Sequence, residues 1–496
     1  MKFNALFLFF IIIYQYSYSQ DYSSYLDDAY RLSAIDYQGT ARAQGMASAF
    51  GALGGDLSSI SINPAGLGVY RSSEFTLTPG FNSTTVNTNY LGSSKKTTAY
   101  AGSLNNIGFV INSDINSDLN LVSASLAFNV SRVGDYNNSQ VIDAKEKPVG
   151  SSFAQFLTNN SNNPEIYYDP FWEGLAYDAN VVRYDSLGYY NNFENDVNQK
   201  KYKISSGGNT EYQIAYGLNF DHKVYVGASV SLVSTKYIQQ FDITEIDIDD
   251  YDLLNSYRFH HELSSIARGI NAKFGFIYRP NESYRLGVSV HFPTFFSITD
   301  EWDTRMTTKY DDGRVYSYSP QNTDYSLAPA TQSLNISSPF RFILSNAIVL
   351  EKIGLVSVDY ELVDYKKMIF GNGASEVGDD FNKFDNLDLN EEVKEYMRLS
   401  HNVRIGAEKR IGPAYFRSGY SFAMSPFKKG VRNDNAHIHT GALGIGYRDS
   451  KFFTDLAIVH SITQYSSNLF PDFYADLFTS SINRTRVVAT IGFRFQ

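Results

Sequence analysis

The sequence predicts an all-β fold, an antiparallel transmembrane β-barrel of about 14 strands. The first observation is composition, because 38 Tyr and 36 Phe beside 2 Trp favour many strands over helical bundles. The second is a repeated alternation of apolar and polar residues. The third is a regular alternation of short and long connections between these segments.

The alternation is clearest at the C-terminus, in RVVATIGFRFQ. One face carries Val487, Ala489, Ile491, Phe493 and Phe495, and the other carries Arg486, Thr490, Gly492 and Arg494. The segments 224–232, 284–292 and 403–410 repeat the pattern. A charge on the lipid face at mid-bilayer costs roughly 2 to 4 kcal/mol, so we expect the charged residues to face the lumen. A soluble antiparallel sandwich shows the same alternation, which therefore does not decide alone.

The connections favour the barrel. Short connections are predicted at residues 112–120, 221–223, 280–283, 351–354, 411–413 and 448–451. Long ones are predicted at residues 134–209, 246–260, 310–330, 371–397, 425–436 and 466–480, the first being the largest. A barrel in a bilayer places short turns on the periplasmic side and long loops outside, whereas a soluble sandwich has no reason to segregate them.

The N-terminus has the layout of a secretory signal peptide over residues 1–20. Lys2 precedes the apolar run Ala5–Ile13, and cleavage is expected near Ser19 or Gln20. A membrane anchor is the alternative, but the run is shorter than the ~20 residues of a spanning helix. The chain has no Cys, which excludes disulfides and lipid attachment through Cys. No long apolar run follows residue 20, so we expect export to the outer membrane and crossing by strands.

The charge balance excludes one class of partner. The net charge is -10, and no cluster of Lys and Arg is long enough to form a phosphate-binding patch for nucleic acid. The partners expected instead are outer-membrane lipid and lipopolysaccharide, a hydrophobic small molecule and other envelope proteins. No cofactor is predicted.

Residues 39–70, GTARAQGMASAFGALGGDLSSISINPAGLGVY, carry a family resemblance. The Gly-Thr-Ala-Arg start, the small-residue run and the Asn-Pro-Ala-Gly-Leu core resemble the N-terminal segment of the outer-membrane protein transport family. That family includes the fatty acid transporter FadL and aromatic-hydrocarbon channels, and this version is similar to a branch common in Bacteroidota. The resemblance implies a hatch, or plug, over residues 21–72, followed by a barrel over residues 73–496. The implied hatch and gating residues are Gly39, Arg42, Gly45, Gly51, Gly55, Asp56, Asn63, Pro64, Ala65, Gly66 and Leu67.

The resemblance implies passive uptake of hydrophobic small molecules, long-chain fatty acids or hydrocarbons. The implied steps are capture on the loops, binding in the lumen and release gated by the hatch, sideways through a break in the wall. A structured plug without a gating role would use the same residues. The main alternative is a barrel that serves as an accessory subunit of a secretion or assembly complex, as the related protein PorV does. No nucleophile motif is present, so an enzyme is not expected.

Apolar residues in two long loops are candidates for the first capture of ligand. They are Phe153, Phe156, Leu157, Phe171, Trp172 and Leu175 in the first loop, and Phe473 and Phe478 in the last. Residues 153–157 have helical spacing, and Asp169 with Pro170 predicts the start of a second helix. The alternative is that these side chains only fix the loops over the barrel mouth.

Three other patterns are weaker. His437 and His439 share a strand face, but no third ligand follows, so no metal site is predicted. The acidic run at 246–252 lacks the glycine turn and terminal glutamate of a calcium loop, which favours a solvated loop or a weak cation site near lipopolysaccharide. The glycines of residues 371–373 open no helix, which argues against a phosphate cradle.

Gly108 and Pro293 are the candidate kinks for an opening in the wall.

Overall fold

The computed structural model describes residues 24–115, 120–148, 151–164, 168–193, 196–248, 254–322, 327–350, 353–371, 386–470 and 476–495. The predicted signal peptide, Phe473, and residues 249–252 and 372–373 lie outside these ranges. Nineteen strand segments form one antiparallel sheet, and the pairing of the first strand with the last closes it into a barrel. Five segments continue others, which leaves the fourteen strands that the sequence predicts.

The strand bounds follow the alternating segments. The segments are β1 (Ser73–Tyr90), β2 (Ser93–Asp114), β3 (Leu121–Asp135), β4 (Asn138–Lys147), β5 (Val182–Asp185), β6 (Gly188–Asn191), β7 (Val197–Phe220), β8 (Val224–Asp247), β9 (Leu254–Tyr278), β10 (Tyr284–His291), β11 (Phe295–Tyr310), β12 (Val315–Tyr318), β13 (Ala330–Ser337), β14 (Arg341–Leu350), β15 (Gly354–Asp364), β16 (Ile369–Gly371), β17 (Leu399–Ile411), β18 (Ala414–Ala423), β19 (Ile438–Arg448), β20 (Phe452–Asn468) and β21 (Leu477–Phe495). β5 and β6 form a separate hairpin outside the barrel sheet.

The outward and inward faces are as predicted. In β21 the apolar face is exposed, with Ile491 at 43% and Phe493 at 49%, whereas Arg486 and Thr490 are buried inside. The same register holds in β8, where Val226, Val230 and Leu232 point out. Because a sheet in hydrocarbon must pair every backbone group, a closed barrel with an apolar exterior is the arrangement that fits these faces.

Short turns lie at one end of the barrel and long connections at the other. The strands run further into the long-loop end than the sequence predicts, because β4 and β7 occupy much of the range 134–209, and β8 and β9 much of 246–260. At that end, apolar side chains of the strands such as Ile243 and Phe259 are buried under a folded loop. This packing keeps the extended backbone paired in the sheet. One connection at the long-loop end, residues 91–92, is a two-residue turn.

Within the described residues, six short helices lie inside or above the barrel. They are α1 (Ser24–Ser33), α2 (Ala41–Gln44), α3 (Ser59–Ile62), α4 (Phe153–Asn162), α5 (Glu173–Asp178) and α6 (Asn386–Tyr396). Among the residues described, no helix has the length and apolar character needed to cross a membrane. α4 confirms the predicted helical spacing. The second predicted helix begins later than expected, because Asp169 caps a turn through the Phe171 N–H at 2.7 Å and α5 starts at Glu173.

The two predicted kinks differ. Gly108 lies in unbroken pairing, opposite Thr76 on one side and Asn129 on the other, so the kink predicted there is wrong. Pro293 lies between β10 and β11, where it interrupts the strand because proline lacks an N–H donor. The neighbouring wall is interrupted at residues 338–340 as well. Two hydrogen bonds between Thr294 and Ser338, at 2.8 and 2.9 Å, close this break.

Candidate functional site

The N-terminal plug, residues 24–72, lies inside the barrel. It comprises α1, α2, α3 and a 3-10 turn at Pro64–Val69. Nearly all of residues 37–70 are buried, although many are small or polar. Their hydrogen bonds reach the walls on several sides, because Ala41 donates to Thr490 on β21 at 2.7 Å and Ser61 to Gln213 on β7 at 3.0 Å. The plug therefore crosses the lumen from wall to wall.

Three glycines of the wall form a seat for the Asn-Pro-Ala-Gly-Leu turn. Gly217, Gly227 and Gly275 stand opposite one another in register across β7, β8 and β9. A Cβ added at any of the three would lie less than 3.0 Å from residues 63–68, a separation that real Cβ atoms do not adopt. The glycines thus allow plug backbone to lie directly on wall backbone.

Asn63 fixes this turn through both ends of its amide. Its Nδ2 donates to Gly51 O at 2.6 Å and to Phe276 O at 3.3 Å, while its Oδ1 accepts from Ala65 N at 3.1 Å. Pro64 opens the 3-10 turn, where a missing N–H is harmless. The motif therefore joins two parts of the plug to each other and to β9.

Buried charges tie the plug to the opposite wall. Arg42 holds Glu408 of β17 with both ends of its guanidinium, Nε to Oε2 at 3.0 Å and Nη2 to Oε1 at 3.2 Å. Glu408 also accepts from Arg417 Nε at 2.7 Å, and Arg417 reaches Asp455 at 2.7 Å. Removing one partner of such a buried pair costs about 3 to 5 kcal/mol, because a charge stays buried without compensation.

The remaining predicted plug residues are brought together in the same place. Asp56 accepts from the Thr40 hydroxyl at 2.8 Å and from Ser58 N at 2.9 Å. Gly55 donates to Gly66 O at 3.0 Å. Gly39 packs on Ser58, Gly45 on Gly444 of β19 and Gly51 on Ser345 of β14, while Leu67 is fully buried. The structure thus gathers all eleven predicted residues at plug–wall and plug–plug contacts, and their role in gating stays a prediction.

The sequence interpretation missed the apolar lining of the upper lumen. Inward-facing Val233, Ala267, Phe296, Ile298, Ile336 and Val363 form one apolar surface at the level of α1. Leu26, Ala29 and Leu32 of α1 cover it, and all three are buried. The spacing of three residues between Leu26, Ala29 and Leu32 is the signal that could have identified α1. That the wall residues of the lining face inward and lie side by side can be known only from the strand pairing.

The predicted capture residues lie inside a folded cap over the mouth. Phe153, Leu157 and Leu175 are fully buried and Phe171 and Phe478 are 6% exposed, while Phe156 and Trp172 pack on them partly buried. All of these residues except Phe171, whose ring lies 6.5 Å from that of Trp302, form one core with Phe259 and Phe470. The structure therefore places them in the interior of the cap, and a capture role for them requires the cap to open.

A buried carboxylate holds the cap in place. Glu245 of β8 accepts from the first N–H groups of α4, Phe153 N at 2.7 Å and Ala154 N at 3.3 Å, and also from Tyr257 and Gln199. Tyr90 donates to Gln199 at 3.1 Å, and Lys147 binds Tyr90 at 2.6 Å and Asp476 at 2.7 Å. This network joins the ends of five barrel segments to α4.

The wall has a gap that the sequence did not indicate. β2 pairs with β3 only as far as Asn106 opposite Ser131. From there to Ser93, within the described residues, its backbone pairs with β1 alone, and side chains join it to β4, as Lys95 does to Asp143 at 2.9 Å. Beyond Arg132, the backbone of β3 and then of β4 pairs with β7 and no longer with β2. A cavity of about 380 Å³ marks the gap, whereas the cavity behind the Pro293 break offers only about 20 Å³, room for about one water.

Comparison with known proteins supports the fold. No protein-family description and no curated protein matches the sequence. Among solved structures, a Pseudomonas aeruginosa FadL homologue aligns over 92% of this chain and 98% of its own, with 12% identity and a TM-score of 0.55. The P. putida toluene transporter TodX aligns over 93% and 100%, with 12% identity and a TM-score of 0.51. The chain therefore has the FadL-type fold, a barrel of fourteen strands filled by its own N-terminal segment.

Proposed function

We propose that this protein is an outer-membrane channel for the passive uptake of hydrophobic small molecules, long-chain fatty acids or hydrocarbons. The observation that carries the proposal is the apolar lining of the upper lumen, which α1 covers. Once α1 leaves it, this lining offers a small apolar molecule a surface of matching chemistry. The solved structures that share the fold include a toluene transporter, which agrees with an apolar cargo.

In the proposed mechanism the ligand replaces α1 on the lining. Burial of about 300 Å² of ligand surface yields roughly 7 kcal/mol at 25 cal/mol per Å². The contacts of Leu26, Ala29 and Leu32 on the same surface must be lost in exchange, so net binding is weaker and reversible. Reversible binding suits a passive channel, because the ligand must leave again.

The eleven plug residues act as a hatch in this proposal. The seat on Gly217, Gly227 and Gly275 and the Arg42–Glu408 pair hold the plug across the bore, so ligand passes only when these contacts loosen. The gap between β2 and β3 is the better candidate for lateral release, because backbone pairing between these strands ends there, whereas two hydrogen bonds close the break at Pro293.

An accessory role in an envelope complex is the second candidate. The β5–β6 hairpin projects from the cap and exposes Tyr184 at 61% and Leu187 at 95%. Contact with a partner protein would bury these side chains, which favours this alternative. In this alternative the lumen stays plugged and the cap binds the partner.

Photolabelling tests the uptake proposal. Purified barrel is incubated with a diazirine-labelled long-chain fatty acid and, separately, a diazirine-labelled alkylbenzene, and the labelled residues are mapped by mass spectrometry. We expect labels at Ala267, Ile298 and Ile336, and loss of labelling in Ile298→Asn. The control is Thr299→Asn, which alters the neighbouring outward-facing residue. If no lumen residue is labelled by either probe, transport is abandoned in favour of the accessory role.

A further inference from the structure

The outer wall has a notch beside the place where β2 leaves β3. The wall notch is lined by Ala101, Gly102, Arg132, Asn137, Gly207, Gly208, Thr210, Tyr212, Ser234 and Lys236, and its volume is about 380 Å³. These residues come from four strands that are neighbours in the barrel. Apart from Tyr212 and the small residues of β2 and β7, the lining is polar or cationic.

The register places the wall notch at the edge of the apolar belt. Val130, Tyr212 and Leu232 stand opposite one another on the outer face and form an apolar row, beyond which the exposed Ile204 and Ile266 stand opposite the polar residues Gln240 and Lys236. The next outward row, two residues further along each strand, consists of Arg132, Thr210 and Ser234. Because two residues advance about 7 Å along a strand, this polar row lies at the depth of lipid headgroups.

Two cations converge on this row. The Arg132 side chain is 18% exposed, and its Nη2 donates to Gly207 O at 2.6 Å. Its Nε is buried without a hydrogen-bond partner, and Asp135 Oδ2 lies 3.8 Å from Nη2 on the inner side. Lys236 is exposed, lies opposite Gly208 in register and forms no ion pair with any residue in the described ranges. The pair therefore leaves positive charge on the outer side.

Two consecutive glycines create the space between these cations. Gly207 has a φ of 112°, a conformation that residues with a side chain rarely adopt. A Cβ at Gly208 would collide with the Arg132 guanidinium. In a strand interior, glycine weakens the sheet and often marks a close approach by another group. Here it leaves a hollow flanked by Arg132, Lys236 and the hydroxyl-bearing residues Thr210 and Ser234.

We propose that the wall notch binds the phosphate group of an outer-leaflet lipid. Arg132 and Lys236 supply charge-assisted donors for phosphate oxygens, and the exposed ring of Tyr212, one row below, contacts the first part of the acyl chains. In a chain of net charge -10, the site is a local exception to the overall charge. The proposal requires that the barrel lie in a bilayer, but not that it transport a ligand.

Lipid retention in nanodiscs tests the proposal. Wild-type barrel is assembled in phosphatidylcholine nanodiscs that contain equal small amounts of phosphatidic acid and oleate, and the lipids retained by the released protein are counted by native mass spectrometry. We expect phosphatidic acid to be retained over phosphatidylcholine and oleate, and Arg132→Gln/Lys236→Gln to reduce this preference about tenfold. Arg258→Gln/Arg305→Gln, which removes two exposed outer-wall cations outside the wall notch, should leave it unchanged.

Three other outcomes would contradict the proposal. Equal losses in both double variants would mean general surface electrostatics and no site. Displacement of the lipid by inorganic phosphate at equal concentration would mean a free-anion site. Oleate retained in place of phosphatidic acid would assign the wall notch to a carboxylate. Should the double variant fail to fold, Lys236→Gln alone changes an exposed side chain and is expected to lose a measurable part of the preference.

Discussion

Asp359 of the barrel wall accepts hydrogen bonds from the backbone N–H groups of Phe50 and Gly51 in the plug, at 3.0 to 3.2 Å. The carboxylate is fully buried and lies 3.7 Å from Arg404. The wall carboxylate thus accepts from the Gly51 N–H and shares the Phe50 N–H with Ser48 O of the plug, which lies at 3.0 Å. Plug and wall are coupled through such contacts, and a single substitution can remove one contact at a time.

Replacing Asp359 by Asn should loosen the plug. The neutral amide oxygen accepts more weakly, and a hydrogen bond to a charged group contributes about 1.5 to 3 kcal/mol. We expect a larger ion leak through the variant in planar bilayers. Asp312→Asn, which changes an exposed carboxylate near Arg314, is the control and should leak like the wild type. An unchanged leak in Asp359→Asn would mean that this contact does not hold the plug.

Gly227→Ala should displace the plug turn from its seat. The added methyl group would overlap the Pro64 carbonyl, and both neighbours in the row are also covered by the plug. We expect overpacking of about 1 to 3 kcal/mol, seen as faster hydrogen exchange at residues 63–69. Gly441→Ala adds the same methyl group on β19, where no atom lies within 4 Å, and should leave that exchange unchanged. Equal exchange in both variants would contradict the glycine seat.

Phe153→Ala should destabilise the cap. Phe153 is fully buried between Phe259 and Phe470, with ring centroids at 5.1 and 5.4 Å. Truncation of such a residue costs about 3 to 5 kcal/mol, so α4 should lose protection in hydrogen exchange. Leu187→Ala, at the exposed hairpin tip, should not change it. If the Phe153 variant instead keeps a stable cap and loses ligand adsorption, the residue captures ligand directly.

The cap should tighten as the pH falls. Glu173 accepts from Asn160 at 2.9 Å and from Asp169 N at 3.1 Å, and burial raises the pKa of both the Glu173 and the Asp169 carboxyl above their ordinary values of 4.5 and 3.8. The closed cap therefore favours their protonated forms. Its stability is greatest below those ordinary values and is lost as pH rises through the raised pKa values.

Trp172 reports this change once Trp302, the only other Trp, is replaced by Phe. We expect Trp172 emission to shift to shorter wavelength between pH 7 and about 4, as the closed cap gains stability. Glu173→Gln should flatten the dependence, because the amide does not titrate. A shift to longer wavelength on acidification would contradict the sign of the effect.

Residue alternation together with the regular exchange of short and long connections was enough to predict the barrel, because each strand must separate a lipid face from a polar lumen and the long loops lie at one end. The arrangements within the wall could not be predicted from alternation, because they depend on strand register. Gly217, Gly227 and Gly275 are 10 and 48 residues apart in the chain, and only strand register shows that they are neighbours. The gap between β2 and β3 was also hidden, since the alternation in β2 continues after its pairing with β3 ends at Asn106.

The plug was predictable only where its sequence is unusual. The Asn63–Leu67 core was identified by resemblance, and its proline and glycines suit close backbone contact. α1 was missed because ten residues with three small apolar positions give a weak periodic signal. The capture residues were identified as apolar, but their burial depends on the cap fold, which contacts between separate loops decide.

A disulfide between plug and wall tests most directly whether the plug must move for ligand to pass. Ala41 of α2 and Ala457 of β20 are buried in one cluster, and the chain has no other Cys to interfere. In Ala41→Cys/Ala457→Cys, uptake of a tritiated long-chain fatty acid or of toluene by intact cells should stop when the disulfide forms and return after reduction. Uptake at the wild-type rate with the disulfide fully formed would contradict the account.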